Sequence, residues 1–315
     1  MARRGSRGTT PPLASVTWRD GVHLTETPIW CDARRRRDIC FVSSADRVGR
    51  TGHGQLIGSP LTLALLGTSG GGHLGVPRHR RFTLGTVRLE LIASGRGPGG
   101  AALFVDITGK TVLYAGAIRT HAIAAAGVDA AEVRAVDAVV VAAPNGGELE
   151  PLGETIDKTL EWAARELAAG RRPVILVDTA LDGLEVAMCL AHVGVAIAAA
   201  RPIREAAQRA ASLDAVALAA TKLQIASPGK EPRAVVWLAR DGAGLAKAMG
   251  EHAFTTMPSW PNAAGRSELL AWIESTNARE VFVTGAAAED IARTVGTRAK
   301  VLGPPHQMTL FEALP

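Results

Sequence analysis

Thr86-Val-Arg-Leu-Glu-Leu-Ile-Ala alternates over Val87, Leu89 and Leu91, and that period of two marks a half-buried strand. It runs into Ser94-Gly-Arg-Gly-Pro-Gly-Gly100, after which Ala101 to Ile107 is a second strand, Gly109-Lys110 a turn and Thr111 to Ala115 a third strand. Gly95, Gly97 and Gly100 satisfy G-x-G-x-x-G, a pattern that binds a dinucleotide only where a helix follows the glycines. Here another strand follows. Strand, glycine loop, strand, turn, strand is a meander, which rules out a Rossmann reading of this half.

The surrounding segments extend this pattern. Val16 to Leu24 and Pro28 to Asp32 read as two short strands around a glycine turn. Ile39 to Val42 is a buried strand that empties into a polar turn, Ser43 to Gly49. Leu56 to Leu66 contains Ser59-Pro60-Leu61-Thr62, a strand-to-helix step in which Pro60 suits the first helical turn, where its missing N–H costs nothing. Thr68 to His73 is a glycine-rich loop without the Gly-Lys-Ser/Thr of a phosphate cradle. Past Val136–Ala143, a strand with Pro144-Asn-Gly-Gly as its turn, strands and helices alternate. Ile156 to Ala169 is a helix capped by Gly170, Arg171 to Asp178 a strand, Gly183 to His192 a helix, Val195 to Ala200 a strand and Arg201 to Ser212 a helix. Val235 to Ala239 is a strand, Glu268 to Glu274 a helix, Arg279 to Ala286 a strand and Ala287 to Val295 the last helix.

Composition narrows the class. Of 315 residues, 21% are charged and 47% hydrophobic, which fits a folded globular chain and not a disordered one. The net charge of +5 permits nucleic-acid contact without requiring it, and arginine clusters at 34–37 and 78–81 fit solvated loops equally well. Cys31, Cys40 and Cys189 form no CxxC pair, which points to a reducing cytosol. No apolar run reaches the roughly 18–20 residues a bilayer span needs, and residues 1–15 read as a flexible basic leader without an apolar stretch. The expected location is cytoplasmic, with no membrane partner.

Several of these stretches together resemble the metallo-β-lactamase fold, in particular the ligase-associated DNA exonuclease and RNA-processing (β-CASP) branch. The resemblance rests on Phe41-Val-Ser-Ser-Ala-Asp-Arg47 after a buried strand, Ser59-Pro60-Leu61-Thr62, the Ser94–Gly100 loop with Tyr114-Ala-Gly-Ala117, and Val283-Thr-Gly285 near the end. It implies an α/β architecture, a metallo-β-lactamase-like αββα sandwich with a β-CASP-like α/β insertion. The sandwich would use residues 16–150 and 264–302, the insertion 151–263 and a tail 303–315. The family's Ser-His-x-His-x-Asp-His and later motifs place its metal ligands at Ser44, Asp46, Val48, Gly49, Arg96, Ala117, Ala142, Ala263 and Gly285. Of these only Asp46 is a metal-binding type, and Arg96 puts a fixed positive charge where a cation would sit.

The expectation is therefore a catalytically degenerate relative without a cofactor. The alternatives are an active exonuclease or hydrolase holding Zn or Mn on a rearranged site, and an interaction module without nucleic acid. Among the histidines, His53 is the only one well placed to substitute as a ligand, although a loop histidine is the expected reading, and Cys189 with His192 reads as packing rather than a nucleophile–base pair. Arg47, Arg50, Arg96, Arg201, Arg204 and Arg209 are the candidates for phosphate contact with DNA or RNA. At the end, Gln307-Met308-Thr309-Leu310-Phe311 resembles the pentapeptide by which bacterial replication and repair proteins dock on the sliding clamp. Leu310 and Phe311 would fill an apolar pocket, Met308 pack beside them and Gln307 bond the rim. The implied role is in DNA replication or repair, as a nucleic-acid-binding or scaffolding subunit tethered to the clamp, with a DNA repair ligase or helicase complex as a further candidate partner.

Overall fold

A computed structural model describes residues 15–47, 52–68, 71–213, 223–229, 231, 233–249 and 260–304. Two sheets lie face to face. The first has six strands in chain order: β1 (Val16–Trp18), β2 (Val22–Leu24), β3 (Ile29–Cys31), β4 (Ile39–Phe41), β5 (Gln55–Gly58) and β6 (Leu74–Gly75). The Val16–Leu24 stretch thus folds as a hairpin of two strands, because Asp20 takes a positive φ of 56° and Gly21 one of 150°.

The seven-stranded second sheet is built on the expected meander: β7 (Arg81–Leu84), β8 (Val87–Ala93), β9 (Ala101–Ile107) and β10 (Lys110–Gly116) pair antiparallel in sequence. It continues with β11 (Ala138–Ala142) and β16 (Glu280–Thr284), then β17 (Ala299–Val301), all parallel to β10. Alternation sorts the strands' side chains. Leu89, Leu91, Leu103, Val105, Tyr114 and Val140 meet Leu24, Ile29, Phe41 and Ile57 from the first sheet between the layers. The intervening residues, among them Ile92, Leu113, Val139 and Val283, face outward under α6 (Arg266–Ser275) and α7 (Ala288–Val295). On the opposite side α1 (Pro60–Leu66) lays Leu63 over Cys40, Val42 and Leu56. The observed layering is helix, sheet, sheet, helix.

The chain between β11 and β16 forms a further α/β unit with a parallel sheet in the order β12 (Val174–Val177), β15 (Ala234–Leu238), β13 (Ile197–Ala199), β14 (Ile225–Ala226). Around it lie α2 (Leu152–Ala168), α3 (Ala180–His192), α4 (Arg201–Ala211) and α5 (Gly242–Met249). Helix α3 starts three residues before Gly183, where expectation put its start, because Thr179 caps it: the Thr179 hydroxyl accepts from Asp182 N at 3.1 Å and the Asp182 carboxylate accepts from Thr179 N at 3.2 Å. The core of this unit also takes in Leu65 of α1 and Ile123, Ala126 and Val128. Among the described residues no helix is long and apolar enough to cross a membrane.

Candidate functional site at the strand ends

The carboxyl ends of β3, β4, β10, β11 and β16 come together on one side of the sandwich, and what each strand delivers there is set by the residue just past its last pair. After β3 this is Asp32, held at a φ of 45°. Its carboxylate accepts from Ser43 N at 2.9 Å, Ser43 Oγ at 2.6 Å and Tyr114 Oη at 2.8 Å, which ties the ends of β3 and β4 to β10 of the facing sheet. Burial raises the Asp32 pKa; the bonds from Ser43, the charge of Arg47 and the bond from Tyr114 work against that rise. Asp32, Arg34, Arg47, Tyr114, Ala142 and Gly285 are among the walls of a cleft of about 150 Å³.

Beside it the β8–β9 loop is folded back on itself. Gly95 has a φ of 74°, and a Cβ there would lie 2.1 Å from Arg119 O, so no other residue fits without moving that backbone. The Ser-Pro-Leu-Thr step clasps the same loop: Ser59 Oγ and Thr62 Oγ1 donate to Gly99 O at 2.5 and 2.7 Å. The loop thereby aims Arg96 inward, 2% exposed. Its Nη1 donates to Asp182 at 2.6 Å and its Nη2 to Asp46 at 2.5 Å. Arg119, also 2% exposed, makes a two-pronged pair with Glu185 at 2.6 Å for each prong, and donates to Gly95 O at 2.6 Å. The Trp260 indole N–H completes Glu185 at 2.7 Å. Asp182 and Glu185 are one turn apart on α3, so two buried arginines of the sandwich are held by one helix of the α/β unit.

Electrostatics make Arg96 a permanent charge. Burial disfavours a guanidinium, but Asp46 and Asp182 outweigh it and raise its pKa. For Asp46, burial raises the carboxyl, yet Arg96, the Ser44 hydroxyl and Arg47 together carry it below the usual carboxylate range. Thiols offer no nucleophile here: burial pushes Cys40 and Cys189 up to about 12, and Cys31 is raised as well.

The expected ligand positions are therefore placed as follows. Ala142 and Gly285 line the cleft. Ser44 bonds Asp46 at 2.5 Å. Ala117 and Ala263 are buried. Val48, Gly49 and Arg50 lie outside the described residues, as do Gln307, Met308, Leu310 and Phe311. Of the expected ligand positions only Asp46 carries a carboxylate, and its oxygens are bonded by Ser44 and Arg96, which does not fit a metal pair. Among the described residues no three His, Cys, Asp or Glu side chains gather as a metal-binding group. Gly285 is more than a ligand position without a side chain: with φ at 101°, a Cβ there would lie 2.7 Å from Ala143 O.

Three expectations need correction. Arg96 cannot reach a phosphate, being buried with both terminal nitrogens on carboxylates. His53 is at the other end of β4, where its Nδ1 accepts from Arg37 N at 3.2 Å and burial lowers its pKa. The α4 arginines do not form one free row: Arg201 pairs with Glu205 at 2.7 Å, Arg204 donates to Ala199 O at 3.2 Å and Arg209 to Leu65 O at 3.0 Å. What sequence reasoning missed is Arg119 and Trp260, and for Asp32, read only as the end of its strand, the place in the cleft. A usable signal was present for one of them, because Asp182 and Glu185 interrupt an otherwise apolar helix and each must find a buried partner.

No protein-family model and no curated protein matches the chain. Among solved structures it is similar to the crystal structure of a protein of unknown function from Enterococcus faecalis V583, with a TM-score of 0.54 and 9% identity over 84% of this chain and 79% of that one. At that identity the likeness concerns the α/β fold alone.

Proposed function

We propose that the chain is a catalytically degenerate metallo-β-lactamase/β-CASP-type protein that serves DNA replication or repair by binding rather than by cutting. The layered sandwich, the α/β unit inserted between β11 and β16, and the convergence of strand ends on one cleft support the family reading. The single observation that carries the loss of chemistry is Arg96. Its guanidinium lies between Asp46 and Asp182, so the one carboxylate at the family's ligand positions is held in a buried ion pair. Water activation by a metal pair needs open coordination sites and several converging ligands. Here the corresponding positions supply an alanine, a glycine and a hydrogen-bonded ion pair.

Nucleic acid as the bound partner is supported by the net charge of +5 and by Arg34 and Arg47 at the cleft. The clamp is supported by the residues of the tail, Gln307-Met308-Thr309-Leu310-Phe311. The test is direct. Purified protein is assayed for exonuclease activity with Zn and with Mn, and its metal content is measured. No turnover and no stoichiometric metal is the expected outcome. Bound metal with metal-dependent cleavage would overturn the reading in favour of an active enzyme with a rearranged site.

A further inference from the structure

The turn after β11 holds the one Asn-Gly step of the sequence, Asn145-Gly146, with Gly147 behind it. Asn145 is half-buried and lines a cavity of about 450 Å³ together with Glu150, Lys158, Asp178 and Asn262. Among the described residues its carboxamide makes no hydrogen bond, and the Gly146 N–H donates none. Gly146 also has no Cβ to hold its nitrogen away from that carboxamide. The other two asparagines of the chain are followed by buried alanines. After Asn277, which has a φ of 52°, the Ala278 N–H donates to Thr276 Oγ1 at 3.4 Å. After Asn262, the methyl of Ala263 crowds the same approach.

We propose that Asn145 is a modification site, a spontaneous deamidation that turns a neutral wall of this cavity into a charged one. Gly146 N gives its proton to solvent base and forms a bond to Asn145 Cγ. The Cγ–Nδ2 bond breaks, ammonia leaves, and a succinimide ring closes. Water then opens the ring. Attack at Cγ yields aspartate, and attack at the backbone carbonyl carbon yields isoaspartate, whose main chain runs through Cβ and Cγ. Neither step needs an oxidant, a reductant or a cofactor. Pro144 belongs to both this cavity and the strand-end cleft, so the new charge arises beside that cleft. Glu150 and Asp178 already stand on the cavity wall, and a further carboxylate there repels anions and attracts cations. The two products differ in mechanics. Aspartate leaves the turn as it was, whereas isoaspartate lengthens it just before Gly147 and Glu148. Those residues tie the turn to the start of α6: Arg266 N donates to Gly147 O at 3.1 Å, and Ser267 N to the Glu148 carboxylate at 3.2 Å. The site does not depend on the function proposed above.

The experiment ages the full chain in neutral and in mildly alkaline buffer and compares wild type, Gly146→Ala, Asn145→Gln and Asn145→Asp. Peptide mapping by mass spectrometry follows each asparagine, and ion exchange separates the aged species for thermal unfolding. The peptide carrying Asn145 is expected to exchange its amide for a hydroxyl severalfold faster than those carrying Asn262 and Asn277. The alkaline sample should run ahead, because the attacking amide must lose its proton. Gly146→Ala should slow the change severalfold. Asn145→Gln should remove the acidic species from the ion-exchange profile, and it keeps Gly146, so it serves even if an alanine at 146 disturbs the contact with Ala287, whose Cβ lies 3.3 Å from the place of the added methyl. Asn145→Asp should co-elute with one aged species and melt close to fresh wild type, while the isoaspartate species melts lower. No conversion at Asn145, or conversion no faster than at Asn262 and Asn277, overturns the site. Acidic species that persist in Asn145→Gln at the wild-type rate overturn it as well.

Discussion

Replacing Arg96 by methionine tests the ion-pair network most sharply. Methionine keeps an unbranched apolar stem of similar reach and removes the charge, which leaves Asp46 and Asp182 facing each other's vacated partner. Their side chains are only 10% and 1% exposed, so neither can turn to water. Breaking a buried pair in this way costs about 3–5 kcal/mol. Asp182 keeps two bonds from Thr179 and Asp46 keeps one from Ser44, which places the expectation at the lower end, about 3 kcal/mol. For 315 residues unfolding together, an entropy of about 2.1 cal/mol/K per residue converts this to a fall in Tm of roughly 4–5 °C. The assay is calorimetric unfolding at neutral pH, repeated down to acid. The folded Asp46 carboxyl titrates below its unfolded counterpart, so its share of the stability is present above the ordinary aspartate pKa and disappears as pH falls through the lowered folded value. Wild type should therefore lose stability more steeply in acid than Arg96→Met. Adding Asp46→Asn and Asp182→Asn to Arg96→Met should recover much of the loss, since the network acts as a unit. A fall in Tm under about 1 °C for Arg96→Met would refute the reasoning.

Further outcomes follow from the same geometry. Glu185→Gln leaves Arg119 buried without a counter-charge and weakens the bond to the Trp260 indole; it should destabilise by about 3 kcal/mol or more, and tryptophan emission read during unfolding checks it. Gly285→His should destabilise rather than create a metal site, because φ at 101° and the contact with Ala143 O oppose any side chain; zinc titration of the variant against wild type is the measurement, and a new zinc-dependent rise in Tm would count against it. Gln307→Ala with Phe311→Ala should abolish retention on immobilised sliding clamp, and equal retention of the two proteins would remove that partner.

The strands of the second sheet were readable because each turn is marked by glycine and each strand alternates over several residues, as in Val87 to Leu91 and Ala101 to Ile107. The rejection of a dinucleotide site needed only the strand after Gly100. The chemistry of the site was less accessible. Arg96 could be seen to replace a ligand, but its partner Asp182 is 86 residues away and nothing local links them. Arg119 and Glu185, 66 residues apart, pose the same difficulty. Asp32 depends on a left-handed backbone and on a tyrosine from the opposite sheet, neither of which has a short-range signature.

Helix α3 finally determines how the molecule can be divided. Its Asp182 and Glu185 are the counter-charges for two arginines rooted in the sandwich, at the ends of β8 and β10. Excising residues 151–263 would not release a smaller stable domain. It would take Glu185 from Arg119 and Asp182 from Arg96, which would keep only Asp46, and an isolated inserted unit would carry the reciprocal fault. Fragment libraries and domain swaps that treat the inserted unit as a module should fail here at the level of soluble expression, whereas exchanges that carry Asp182 and Glu185 together with Arg96 and Arg119 should be tolerated.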